Sequence, residues 1–231
     1  EDGSVVTDTL QQTLNYYVNP LGSDNNDGLA NTAARAFLTI QGALDRLSTF
    51  PRDANKPSAG LSAKVMLADG TYAEVVKPRS MSAFESVRII GNATTPTNVI
   101  ISGTTDAINA SAYVGTAYSI ESCRLVAASG YGIRCENGNE LSFVGVDFNT
   151  ATAAHIYANN GGTIECAGNY TISGGSPYHI LAAGNGTVDY GSAAITVTVT
   201  ANVTFSAATV RLKNSSVATI NSGNVTWSLG A

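Results

Sequence analysis

Three stretches in the second half of the chain lie in one register: 155-HIYANNGGTIEC-166, 179-HILAAGNGTVDY-190 and 211-RLKNSSVATINS-222. Each begins with a polar residue and Ile or Leu, crosses a turn-rich patch, and re-enters a strand nine residues on, at Ile164, Val188 or Ile220. The first two are offset by 24 residues (179 − 155) and the third by 32 (211 − 179). A weaker copy precedes them, in which Gly132-Ile133-Arg134-Cys135 leads to Ser142-Phe143-Val144. It is offset by 23 residues (155 − 132), with two extra residues in its turn. Ser119-Ile120-Glu121 lies another 23 residues upstream (142 − 119). A unit this short holds strands and turns but no helix, and it cannot bury its own apolar face. It must stack on its neighbours. Such coils make a parallel β-helix, in which residues distant in sequence fall into vertical columns.

The composition fits this architecture. The chain has 231 residues, 44% hydrophobic and only 13% charged, with 23 Gly. The net charge of −5 leaves no footprint for nucleic acid. No apolar run is long enough to span a membrane. Of the three Cys, Cys135 and Cys166 fall on the inward phase beside Ile133 and Ile164 and read as buried free thiols. No zinc-type spacing, P-loop or dinucleotide fingerprint is present, so neither a metal nor a cofactor is expected. The chain starts at Glu1 without Met or a signal-like segment, which reads as a piece of a longer protein.

Residues 1–15 read as a connector, 16–63 as an N-terminal strand, loop and capping helix, and 64–231 as β-helix coils with a C-terminal strand segment. Ile40, Ala43, Leu44 and Leu47 follow helical spacing, with Thr39 as N-cap and Pro51 beyond. A helix over 39–50 is therefore expected to cover the open end of the solenoid. Residues 195–205 alternate strictly for 11 positions and predict one long strand.

The stretch Tyr16-Tyr17-Val18-Asn19-Pro20, Gly22-Ser23-Asp24, Asn26-Asp27-Gly28, then Phe37-Leu38-Thr39-Ile40-Gln41-Gly42-Ala43-Leu44, resembles a recurrent opening module. It is similar to the start of right-handed parallel β-helix proteins of the pectate-lyase-like superfamily, especially bacteriophage tailspikes and tail fibres. Lys64 to Tyr72 resembles the first coil of that family. The resemblance implies a right-handed coil and, in phage members, often a homotrimer. It does not by itself imply an enzyme, because the fold serves both catalysis and adhesion.

Two constellations carry chemistry in the predicted register. Glu121, Val144, Glu165, Asp189 and Asn221 form one outward column, with rungs ~4.8 Å apart. Stacked carboxylates raise one another's pKa, which is how a general acid arises. Glycosidases use carboxyl pairs at ~5 Å when retaining and ~6.5–9.5 Å when inverting. The column admits both, and it equally admits solvated side chains or sugar and cation binding. The other outward columns are Gly132, His155, His179, Arg211 and Arg134, Tyr157, Leu181, Lys213. Together they would make a polar, aromatic, partly basic face, suited to sugar rings and to uronate or sialate carboxylates. Arg124 aligns with Asp147 as a surface ion pair. The loop Asp24-Asn25-Asn26-Asp27-Gly28 misses calcium-loop spacing and reads as Asx turns.

The function expected first is a phage tail spike or fibre module that binds host surface polysaccharide, found on the virion and extracellular on release. Its partners would be that glycan, other tail or baseplate proteins, and itself as a homotrimer. A depolymerising tailspike, a glycoside hydrolase or lyase, is the alternative, and a bacterial surface adhesin a third. The binding module leads because the chain has few coils and no large inserted loops, where deep sites are built. The trimer is expected partly because the strand 195–205 offers more apolar surface than one thin coil covers.

Overall fold

A computed structural model describes residues 13–51, 61–112 and 114–190, with the strands Ile195–Val199, Val203–Ala207, Val210–Leu212, Ala218–Asn221 and Val225–Leu229 beyond them. Of that last part, side chains are described only from Ile195 to Thr198. The chain is a right-handed, all-β parallel solenoid of about six turns. One coil shows the plan. Glu140–Val144 lies in the first sheet, Asp147–Ala151 in the second and Ala154–Asn159 in the third. The next coil repeats it with Thr163–Cys166, Tyr170–Ile172 and Tyr178–Ala182. Every pairing between coils is parallel, as a helical path of one hand requires.

The repeat follows from the corner between the third sheet and the first. Asn137, Gly138, Asn160 and Gly161 all have φ between 50° and 78°. Asparagine and glycine adopt this left-handed geometry at least cost, so an Asn-Gly pair turns the chain tightly. The corners also stack on one another. Asn160 Nδ2 donates to Asn137 Oδ1, and Asn137 Nδ2 donates to the Ser111 carbonyl at 2.6 Å.

Inside, the lumen is filled by side chains. Phe143, Phe148 and Tyr170 meet edge to face, with centroids 5.3 to 5.7 Å apart. Cys123, Cys135 and Cys166 are free and buried, and burial pushes each thiol up to about 12. The expected register of the ladder holds only in part. Ile133 to Leu141 spans 8 residues (141 − 133), the same as Ile156 to Ile164 (164 − 156), and Leu141 pairs with Ile164. Phe143 instead pairs with Cys166, so the two extra turn residues do not exist. Leu141 and Phe143 both point inward, and a period of two cannot tell such neighbours apart.

The expected long strand at 195–205 is two strands. Ile195–Val199 pairs with Tyr170–Ile172 in the second sheet. Val203–Ala207 lies beside Tyr178–Ala182 and pairs with Val225–Leu229. The first therefore takes the place of a second-sheet strand and the other lies against the third sheet. The following strand then returns after 22 residues (210 − 188), where Val188 pairs with Val210. Ile220 accordingly pairs with Val197, not with Val188.

At the N-terminal end the expected helix is present as α1, Ile40–Ser48, with Ile40, Ala43, Leu44 and Leu47 buried over the first strands, Thr13–Val18 and Ser62–Leu67. The first of these begins three residues before Tyr16, inside the expected connector. Thr39 Oγ1 accepts from Gly42 N–H at 2.9 Å. Glu74, from the first coil, accepts from Ile40 and Gln41 N–H at 2.8 and 2.9 Å. Asp24 accepts from the amides of Leu38 and Thr39 and from the Thr39 hydroxyl. Gly42 is required here, because a Cβ would lie 2.5 Å from Asp24 Oδ1. Two carboxylates thus clamp the positive end of the helix to the solenoid. Glu74→Ala is expected to cost about 1–2 kcal/mol in urea unfolding, and Glu74→Gln less, since one oxygen remains. An unchanged midpoint in Glu74→Ala would show that the clamp does not hold the cap.

Candidate functional site

The outer face of the third sheet gathers the richest set of polar and aromatic groups. Successive coils bring Asn109, Arg134, Tyr157 and Leu181 into one outward column, which agrees with the sequence register for the last three. Tyr131 and Tyr157 stack at 4.2 Å with their planes 9° apart. The Arg134 guanidinium sits over the Tyr131 ring at 5.8 Å. Arg134 Nε and Nη2 donate to Glu136 Oε2 at 2.9 and 2.8 Å, and Nη1 is 3.8 Å from Asp106 Oδ2. Asn159 holds the other oxygen of Glu136 at 3.1 Å. Asp106 accepts from the Tyr131 amide at 2.9 Å and from Asn109 Nδ2 at 2.6 Å. The result is an aromatic platform beside a fixed network of charges and amides.

Column logic could not find Tyr131. It lies 26 residues before Tyr157 (157 − 131), three off the 23-residue repeat, and its own rung partner is Ala154. Asp106 and Glu136 lie outside the aligned columns; Glu136 is marked in the sequence only as an acid two residues from Arg134, and Asp106 carries no such signal.

His155 and His179 are not part of this face. Both are fully buried, contrary to the outward placement expected from alternation. Ala154, His155 and Ile156 are all at 0% exposure, so the alternation breaks where the strand leaves its corner. His155 and His179 face each other Nδ1 to Nδ1 at 3.1 Å. His179 Nε2 meets the Tyr170 hydroxyl at 2.9 Å, and that hydroxyl meets Tyr190 at 2.8 Å. His155 Nε2 lacks a partner of full hydrogen-bond geometry, although the Asn149 carbonyl favours its charged form. A neutral ring carries one N–H. The consistent assignment therefore runs from Tyr190 through Tyr170 to His179 Nε2, and from His179 Nδ1–H to His155 Nδ1, leaving Nε2–H of His155 toward Asn149.

Burial drives the His155 pKa down to about 4, with the Asn149 carbonyl and the Asp147 charge opposing it. Burial and the neighbouring His155 push His179 well below its ordinary value.

The carboxylate column divides. Glu165 and Asp189 sit on adjacent rungs as expected, lining a groove of about 250 Å³ on the first sheet with Tyr118, Glu140 and Ser142. Asp189 is nearly buried, whereas Glu165 is exposed. Glu121 does not join them. It pairs in register with Val144, while Glu165 pairs with Ser142, two positions earlier in that strand. Burial raises the Glu121 pKa, but two hydrogen bonds from Arg88, at 2.7 and 2.6 Å, outweigh it with help from Ser119 and hold Glu121 below its usual range. A carboxylate held this way is a poor proton donor. Arg211 pairs in the backbone with Asp189 rather than stacking above His179. Lys213 lies outside the described residues.

Arg124 pairs with Asp147 at 2.6 Å as the register predicts, but Asp147 is buried, so this is not a surface bridge. A wider groove of about 660 Å³ lies at the cap, lined by Asp24, Asp27 and Asp45. Its carboxylates serve the chain itself: Asp24 holds the helix, Asp27 binds Arg35, and Asp45 binds Arg79 and Gln41.

No family model, curated protein or solved structure matches this chain.

The chain's two histidines make a pH test clean. Above pH 6.5 both are neutral whether the protein is folded or not. Between 6.5 and about 4 the unfolded chain binds protons that the folded lumen refuses, so stability falls as pH falls. The expected loss is about 1.4 kcal/mol per pH unit per histidine, or roughly 3 kcal/mol for His155 across that window. Urea unfolding at several pH values measures it. Histidine ring protons titrating near 6.5 in the native state would contradict the assignment.

Proposed function

We propose that this chain is a glycan-binding module, acting as part of a bacteriophage tail spike or fibre that attaches to host surface polysaccharide. The observation that carries the reading is the stacked Tyr131–Tyr157 pair on an outer face beside Arg134, Asp106 and Glu136. Aromatic rings next to fixed hydrogen-bonding groups are what a sugar needs, since its C–H face stacks while its hydroxyls find directional partners. The viral tail setting, the virion location and the neighbouring tail or baseplate proteins rest on the resemblance of the opening module. So does the homotrimer. The extra apolar strand surface once expected to support it is absent where side chains are described, because Ile195 and Val197 are buried within the coil. Tyr157→Ala is expected to weaken binding to the cognate surface polysaccharide by at least about tenfold while leaving the circular dichroism spectrum unchanged. Equal affinity in the variant would remove this face from the reading.

A second reading is a polysaccharide depolymerase, favoured by the adjacency of Glu165 and Asp189 in one groove. Release of reducing sugar or unsaturated uronate from surface glycan would establish cleavage. Loss of that release in Glu165→Gln, by about 100-fold or more, would assign Glu165 the acid–base role. Cleavage persisting in Glu165→Gln would place the chemistry elsewhere.

A further inference from the structure

We infer that the outer face of the third sheet takes an uncharged sugar chain. The inference rests on the glycan-binding reading of this face and adds the class of glycan.

An arginine beside aromatic rings suits a uronate or sialate, provided its charge is available. Here it is already matched. Both Nε and Nη2 of Arg134 are committed to Glu136 Oε2, and Asp106 lies 3.8 Å from Nη1. Neither acid can turn away easily. Glu136 is tied to Asn159, and Asp106 to Asn109 and the Tyr131 amide, and both acids are less than a tenth exposed. Moving either would strand a buried charge without its partners. One guanidinium against two carboxylates leaves the network at −1 (1 − 2). A sugar carboxylate would therefore approach a locally negative site on a chain whose net charge is −5.

A neutral pyranose meets no such barrier. Tyr131 and Tyr157 each spend one ring face on the other, and Arg134 lies over Tyr131. Tyr157 is half-buried, and its exposed part, with half-buried Leu181 one rung further on, supplies the apolar surface. Nη1 of Arg134 is too far from Asp106 for a hydrogen bond, so its N–H groups can donate to a sugar hydroxyl. The carboxylates then act by orienting the guanidinium rather than by touching the sugar.

Calorimetry with the whole chain separates the outcomes. The probes are neutral dextran, mannan and galactan, and anionic polygalacturonate and polysialic acid, each at about 50 and 500 mM salt. Binding to a neutral polymer is expected, changing by less than about twofold between the two salts and lost by about tenfold in Tyr157→Ala. Glu136→Gln, which strips Arg134 of its main counter-charge, should raise polygalacturonate affinity by about tenfold. Wild-type binding restricted to the anionic polymers and falling steeply with salt would overturn the inference while leaving glycan binding intact. Binding to neither class would overturn the glycan reading itself. Neutral binding undisturbed in Tyr157→Ala would overturn the assignment to this face.

Discussion

The lumen of the solenoid governs the rest of the molecule. Three sheets close around a space that side chains must fill completely, so each inward position is either apolar or satisfied by another inward group. Phe143, Phe148 and Tyr170 fill it by crossing at steep angles, and the thiols of Cys135 and Cys166 donate to the carbonyls of Asn139 and Gly168. Where imidazole enters, its nitrogens meet one another and the tyrosine hydroxyls. The two histidines, which the sequence places on a sugar-binding face, are thus structural, since both are fully buried in the lumen.

The side chains open to solvent lie on the outer faces, and these differ. The first sheet displays Glu165 and Asp189 along a shallow groove. On the second, the outward register position opposite Arg124 carries Asp147, with Thr171 following on the next coil. Among the described residues, the third alone joins a stacked tyrosine pair to a clamped arginine. Coil stacking makes that cluster possible, because its residues come from segments spanning Asp106 to Leu181 and only the parallel register brings them together. A scaffold of this kind needs no long loops to build an extended binding surface.

The repeat and the cap were legible because each has a physical period. Ile40, Ala43, Leu44 and Leu47 could only be one face of a helix. The spacing of Ile133, Ile156 and Ile180 could only be stacked coils, and all three pair as read. Errors arose where alternation is blind. Leu141 and Phe143 are equally good inward residues, so the register slipped by two and aligned Glu121 with Glu165. His155 sits at a strand start still turned by its corner, and alternation with the inward Ile156 placed it outside. Apolar and polar residues never break step from Ile195 to Phe205, so the separate strands Ile195–Val199 and Val203–Ala207 read as one. Side-chain reach was also invisible: Tyr131 crosses three positions of register to stack on Tyr157.

The corner that makes the repeat possible also sets how the protein ages. Asn137-Gly138 and Asn160-Gly161 are the dipeptides in which asparagine loses its amide most readily, since glycine leaves the following nitrogen unshielded. In this fold the amide has a neighbour that depends on it. Asn160 donates from its amide nitrogen to the carbonyl oxygen of Asn137. Deamidation would replace that donor with a carboxylate oxygen, turning an attractive contact into acceptor facing acceptor. A hydrolysed Asn160 would thereby lose its tie to the corner of the preceding coil.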